Sequence, residues 1–250
     1  MRQQALTIDE VIEEIDSIIE WARITESPLG YFPALYRKVT LRIKQGIADN
    51  YFENGERMEQ LDIMFANRYL EAFELYKTGE GTTQSWMVAF ETSQNNRLIV
   101  LQHLLLGINA HINLDLAIAA ARTSPAEEIH DLKNDFDKIN TILASLVDEV
   151  ERELAEVWPM LKLLDWIAGK TDEALINFSI NIARIRAWKV AKDLAYSPLN
   201  EQDSQINHLD HNIAKLGAKI SRPSFLIRVV IGLIKLGERG SVRKIIDILM

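Results

Sequence analysis

The stretch LIVLQHLLLGINAHINLDLAIAAA, running from Leu98 to Ala121, decides the fold. It holds no Lys, Arg or Glu, and its one formal charge is Asp115. A helix that is apolar on every face is buried, either in a protein core or in a bilayer. The length suits a membrane span, but Gln102, His103, Asn109, His111, Asn113 and Asp115 would all lie at membrane depth, where such groups are expensive. The stretch therefore predicts the buried central helix of a soluble bundle.

The sequence around it repeats apolar residues at spacings of three and four, with no sustained two-residue alternation. Ile8, Val11, Ile12, Ile15, Ile18, Ile19 and Ala22 share one helical face, after Thr7 and Glu10 in a capping-box arrangement. Breaks at Ser27-Pro28, residues 78–84, Ser124-Pro125, Pro159, Gly169, Ser197-Pro198, Pro223 and Gly237–Gly240 divide the chain into about ten helices. Ser124-Pro125-x-Glu127 reads as the start of a long helix, Leu161–Ala168 as a short one, and Thr171 as the cap of a helix ending at Tyr196. No break is long enough for an interdomain linker and no repeat is visible, so residues 1–250 read as a single all-α domain.

Composition narrows the function. The 250 residues are 48% hydrophobic and contain no cysteine, which excludes disulfides, thiolate catalysis and cysteine-based metal sites. The net charge of −8 argues against nucleic acid as a partner. No basic and apolar leader opens the chain, so a cytoplasmic location is expected. Phosphate-binding glycine loops, Gly-x-Ser-x-Gly and His-Glu-x-x-His are missing. Glu127-x-x-His130 is a single copy of a pair that a di-iron site needs twice, and His208 and His211 are expected to face solvent.

The central helix carries the chemistry. His111 and Asp115 are four apart and share a face; Asn109 and Asn113 form a second such pair; Gly107 lies one turn earlier and clears space for another chain or a ligand. Buried polar groups need partners, so the helix contains either a structural network or a site. The ligand-binding candidates are Asn109, His111 and Asp115, joined by Asp62, Asn140 and Arg186 from other helices. Arg68, Tyr69, Arg184 and Trp188 lie on similarly apolar helices. His111 and Asp115 also admit one divalent metal ion. Gly107, His111 and Asp115 resemble part of the zinc site of the helical phospholipase C and single-strand nuclease families, but the chain has five histidines and no Pro-x-His after Asp115.

A broader likeness covers most of the chain. Gly30-Tyr31-Phe32-x-x-Leu35-Tyr36-x-x-Val39-Thr40, Leu61-Asp62-x-x-Phe65-Ala66-x-Arg68-Tyr69-Leu70 and Gly107-x-Asn109-Ala110-His111-Ile112-x-x-Asp115-Leu116 resemble an uncharacterised bacterial family of all-helical proteins. That resemblance implies one helical unit and assigns no catalytic residue.

Residues 221–250 differ in charge. Six basic residues against two acidic ones give +4, leaving −12 on the rest. The expected role is docking as the last helices of the bundle. The functional expectation is a buried polar pocket for a small molecule or one metal ion. The alternatives are a lipid- or partner-binding bundle acting through these C-terminal helices, with a membrane surface as partner, and a metal-dependent hydrolase.

Overall fold

A computed structural model describes residues 3–157 and 180–250. Among these residues there are ten helices and no strand. The helices are α1 (Ile8–Ile24), α2 (Tyr31–Ala48), α3 (Gly55–Thr78), α4 (Gln84–Glu91), α5 (Val100–Thr123), α6 (Lys133–Val157), α7 (Ile180–Tyr196), α8 (Leu199–Ser221), α9 (Phe225–Gly237) and α10 (Val242–Leu249). The short helix expected over Leu161–Ala168 and the Thr171 cap lie outside the described residues.

The apolar stretch forms most of α5, and it sits where its composition demands. It is long and apolar enough to cross a membrane, yet 89% of its most apolar window is buried inside the protein. Its first half packs on α2, α4 and α8, and its second half on α3 and α7. The helix is not regular throughout: His111–Asp115 form a π turn, in which the Leu116 N–H reaches back to the His111 carbonyl.

Three apolar clusters surround α5. Ile15, Ile19, Phe32, Tyr69, Trp86 and Ile246 belong to the first; Met58, Leu114, Ile118, Phe136 and Trp188 to the second; Leu106, Ile220, Ile227 and Ile231 to the third. Val39 and Phe65 touch both the first and the second. Several helix ends are closed by carboxylates distant in sequence. Asp210 of α8 accepts the Gln84 and Ser85 amides at 2.7 and 2.9 Å, and Asp135 of α6 accepts the Glu53 and Asn54 amides at 2.7 and 3.0 Å.

One boundary differs from expectation. The long helix does not begin at Ser124-Pro125. Residues Ala126–His130 form a 3-10 turn, entered with Ala126 at a φ of 51°, and α6 starts at Lys133. The C-terminal segment divides in two. Helix α10 is part of the core, with Ile245, Ile246 and Leu249 buried and Asp247 paired to Arg23 at 2.8 Å. Helix α9 buries Ile227, Ile231 and Ile234 and leaves its opposite face outside.

The seat of α10 depends on Gly30. A Cβ there would lie 2.5 Å from the Ile246 Cδ1 and 2.6 Å from the Ala22 Cβ, whereas a Cβ at Gly232 on α9 would meet nothing within 4 Å. Gly30→Ala should therefore lower stability by about 1–3 kcal/mol through overpacking, while Gly232→Ala should be neutral or add about 0.5–1 kcal/mol through the lost chain entropy of glycine. Thermal melts of the two variants test the contrast, and equal effects would contradict the packing described.

Candidate functional site

The site begins with Asp115, which is fully buried. A buried carboxylate persists only where donors replace its water. Here Arg68 of α3 donates through Nε to Oδ1 at 2.7 Å, and Trp86 of α4 donates its indole N–H to Oδ2 at 2.8 Å. His111, one turn earlier on α5, places Nδ1 3.3 Å from Oδ2. One carboxylate thus ties three helices together.

His111 is equally enclosed. Its ring stacks on Phe65 at a centroid distance of 3.5 Å and meets the edge of Tyr36 at 4.5 Å. Phe32 fills the space that Gly107 clears: a Cβ at Gly107 would lie 2.5 Å from the Phe32 ring, and that ring sits 5.5 Å from both His111 and Trp86. Burial pushes the imidazole pKa down, and Arg68 acts in the same direction against the opposing pull of Asp115. The ring is therefore neutral, with its proton assigned to Nδ1 because a carboxylate oxygen faces that nitrogen. Nε2 is left as a bare acceptor, and it is buried without a hydrogen-bond partner among the described residues.

Several other buried groups share that condition, three of them on α2 and α3. Both Asp62 oxygens and the hydroxyls of Tyr36 and Tyr69 are buried with no hydrogen-bond partner among the described residues. Burial, then the charge of Glu59, raises the Asp62 pKa from 3.8 to about 7. Burial and then the charge of Asp62 push the Tyr36 phenol upward. A neutral imidazole nitrogen and a carboxyl that titrates near neutrality are groups that can accept, donate or share a proton.

The other candidates have separate places. Asn109 accepts from Asn113 at 3.1 Å and donates to the Ile213 carbonyl of α8 at 3.1 Å, so this pair fastens α5 to α8. Asn140 of α6 accepts from the Nε of Arg184 at 2.6 Å. Arg184 is buried over the Phe136 ring, while Arg186 is exposed. Asn140 and Arg186 thus belong to α6–α7 packing and to the surface. His208 and His211 are exposed. Sequence reasoning passed over Trp86, whose buried indole N–H required an acceptor.

Metal binding has a poor donor set here. The groups turned to Asp115 are N–H donors, one of them cationic, and a metal ion would have to displace Arg68. Among the described residues no three His, Asp or Glu side chains converge.

A pocket of about 480 Å³ opens on the outer side of α3. Ile63, Met64, Asn67 and Arg68 form its α3 wall, Arg122 and Thr123 close it from the end of α5, and Gln4–Leu6 from the N-terminal segment. Arg68 therefore has its Nε on the buried carboxylate and its flank in the pocket.

Two outcomes follow. Asp62 ionises near 3.8 when unfolded and near 7 when folded, so its contribution is full below about pH 4 and is lost as pH rises through about 7. Asp62→Asn removes that loss. Its stability relative to the native chain should improve from about pH 4 to about pH 8, by at most on the order of 4 kcal/mol; denaturant titrations showing a constant difference would contradict this. Asp115→Ala should cost about 3–5 kcal/mol, because it strands the Arg68 charge, and Arg68→Met with Asp115→Leu should cost clearly less than the two single changes together. Additive costs would mean that the pair is not coupled.

Comparison with known proteins adds one finding. The sequence profile of a family described as of unknown function, DUF5995, matches residues 8–223, from α1 to the residues just after α8. Neither a curated protein nor a solved structure matches.

Proposed function

The chain belongs to the DUF5995 family, whose matched span holds Arg68, Trp86, His111 and Asp115, and we propose that it binds a small organic anion in the pocket beside Arg68. The observation that carries this reading is the double placement of Arg68. Its Nε is fixed by Asp115, and the same side chain lines the pocket, with no other hydrogen bond described for its guanidinium. A guanidinium held from behind presents a planar donor fork at little entropic cost, which is the arrangement that selects carboxylates and phosphates. Arg122 brings a second positive charge to the same pocket, Gln4 and Gln60 bring amides, Ala5, Ile63 and Met64 supply apolar wall, and Asn67 fastens that wall by exchanging hydrogen bonds with the Ala5 backbone at 2.9 and 3.0 Å. Glu71 is the one carboxylate among the described lining residues, and with the Arg68 charge paired to Asp115 behind the wall it is the exposed Arg122 that offers an anion its free charge. Its volume lies in the range of small-molecule sites. Asp115 and His111 act behind the ligand, as the support that keeps Arg68 aimed.

Thermal melts with simple dicarboxylates and with inorganic phosphate test the reading. A bound anion at about 100 times its Kd should stabilise the native chain by about 2.7 kcal/mol. Arg122→Ala, an exposed change, should leave the unliganded melt near its native value and abolish most of that shift. An unmoved melt in every anion, or a shift that survives Arg122→Ala and Arg68→Lys alike, would refute the assignment.

A further inference from the structure

Helix α9 docks through only half of its surface. Ile227, Ile231 and Ile234 are buried against Leu98, Ile99, Leu105 and Ile220. On the opposite side Phe225 is 70% exposed, Val229 50%, Leu233 49% and Leu236 85%. Phe225, Val229, Gly232 and Leu236 follow one another at helical spacing, so they form a continuous apolar line rather than scattered residues.

The charges around this line have one sign. Arg222, Arg228 and Arg239 are exposed, and no ion pair is described for them among the described residues. The acidic residue that follows α9 is turned inward: Glu238 accepts the Val100 amide at 2.8 Å and pairs with Lys235 at 2.8 Å, and its side chain is almost fully covered. Lys235 spends its charge there and on the Leu98 carbonyl. The outward face is thus apolar and cationic, with its one acid removed.

We infer that α9 is a membrane-docking helix, which lays Phe225, Val229, Leu233 and Leu236 into the interface of an anionic bilayer while Arg222, Arg228 and Arg239 meet lipid phosphates. Charge complementarity selects this occupant. A second copy of the chain packed through the same face about a two-fold axis would set these arginines against their own equivalents. An anionic bilayer supplies both the apolar depth and the negative charge that the face lacks. The C-terminal segment therefore divides its labour: α10 holds the segment in the core, and α9 presents its outer face. The inference is independent of the anion pocket, which lies elsewhere on the fold.

Co-sedimentation of the full chain with vesicles tests it. Vesicles of phosphatidylcholine containing about one third phosphatidylglycerol should bind the chain at low salt and release it as salt rises, and phosphatidylcholine alone should bind weakly. Phe225→Ser with Leu236→Ser should reduce partitioning at least about tenfold, and Arg228→Gln and Arg239→Gln roughly fivefold each. All these positions are exposed, so melts of the variants should match the native chain. Equal binding to neutral vesicles, no binding to either kind, or unchanged partitioning of the variants would overturn the inference. So would a concentration-dependent dimer of the native chain that the double serine variant abolishes, because the face would then belong to a second copy.

Discussion

A carboxylate with no access to water constrains this fold more than any other group. Asp115 is stable where it stands only because Arg68 and Trp86 point their N–H groups at it, and those residues lie on two other helices. The positions of α3 and α4 against α5 are thus set by hydrogen-bond direction as well as by apolar packing, which is far more tolerant of small shifts. The π turn that carries Asp115 belongs to the same arrangement. It changes the backbone register between His111 and Leu116, at the point where the helix must present both an imidazole and a carboxylate to neighbours.

The polar residues of α5 divide by direction. Gln102 donates to the Ile220 carbonyl at 2.8 Å and Asn109 to that of Ile213, so one side of the helix is fastened to α8 by side-chain amides. The side facing α2, α3 and α4 is aromatic and ionic instead. There the buried Asp62, Tyr36, Tyr69 and His111 Nε2 retain hydrogen-bonding capacity that no described residue meets. Such groups cost about 1–3 kcal/mol each. Several of them surround the one well-satisfied carboxylate, while the other buried atoms in this condition are single hydroxyls and guanidinium nitrogens distributed over the fold.

Much of this was legible in the sequence, for physical reasons. The absence of Lys, Arg and Glu from Leu98 to Ala121 announces burial on all faces, and the four-residue spacing of His111 and Asp115 announces their meeting. The π turn was not legible, because a one-residue shift of hydrogen bonds leaves that spacing unchanged. The identity of the partners was partly legible. Asp62 and Arg68 are two of eight charged residues on α3, so composition does not single them out, and the choice between them depends on which way α3 is rotated. The same rotation separates Arg184, which is buried, from Arg186, which is exposed. Trp86 stands far from Asp115 along the chain, and no local pattern joins them. Asp210 stands between the exposed His208 and His211, yet it is buried and holds the first amides of α4.

The seat of α10 between Ala22, Gly30 and their neighbours has a temporal meaning. Helices α1 and α2 are made early and α10 more than two hundred residues later, yet Ile246 fills the groove between them. Contacts of such long range are slow to form, because the intervening chain must first be ordered. During synthesis the Ala22–Gly30 groove faces water until residues 245–249 leave the ribosome. A nascent chain of this protein thus carries an open apolar seam for most of its elongation, and the seam closes only when the last helix is complete.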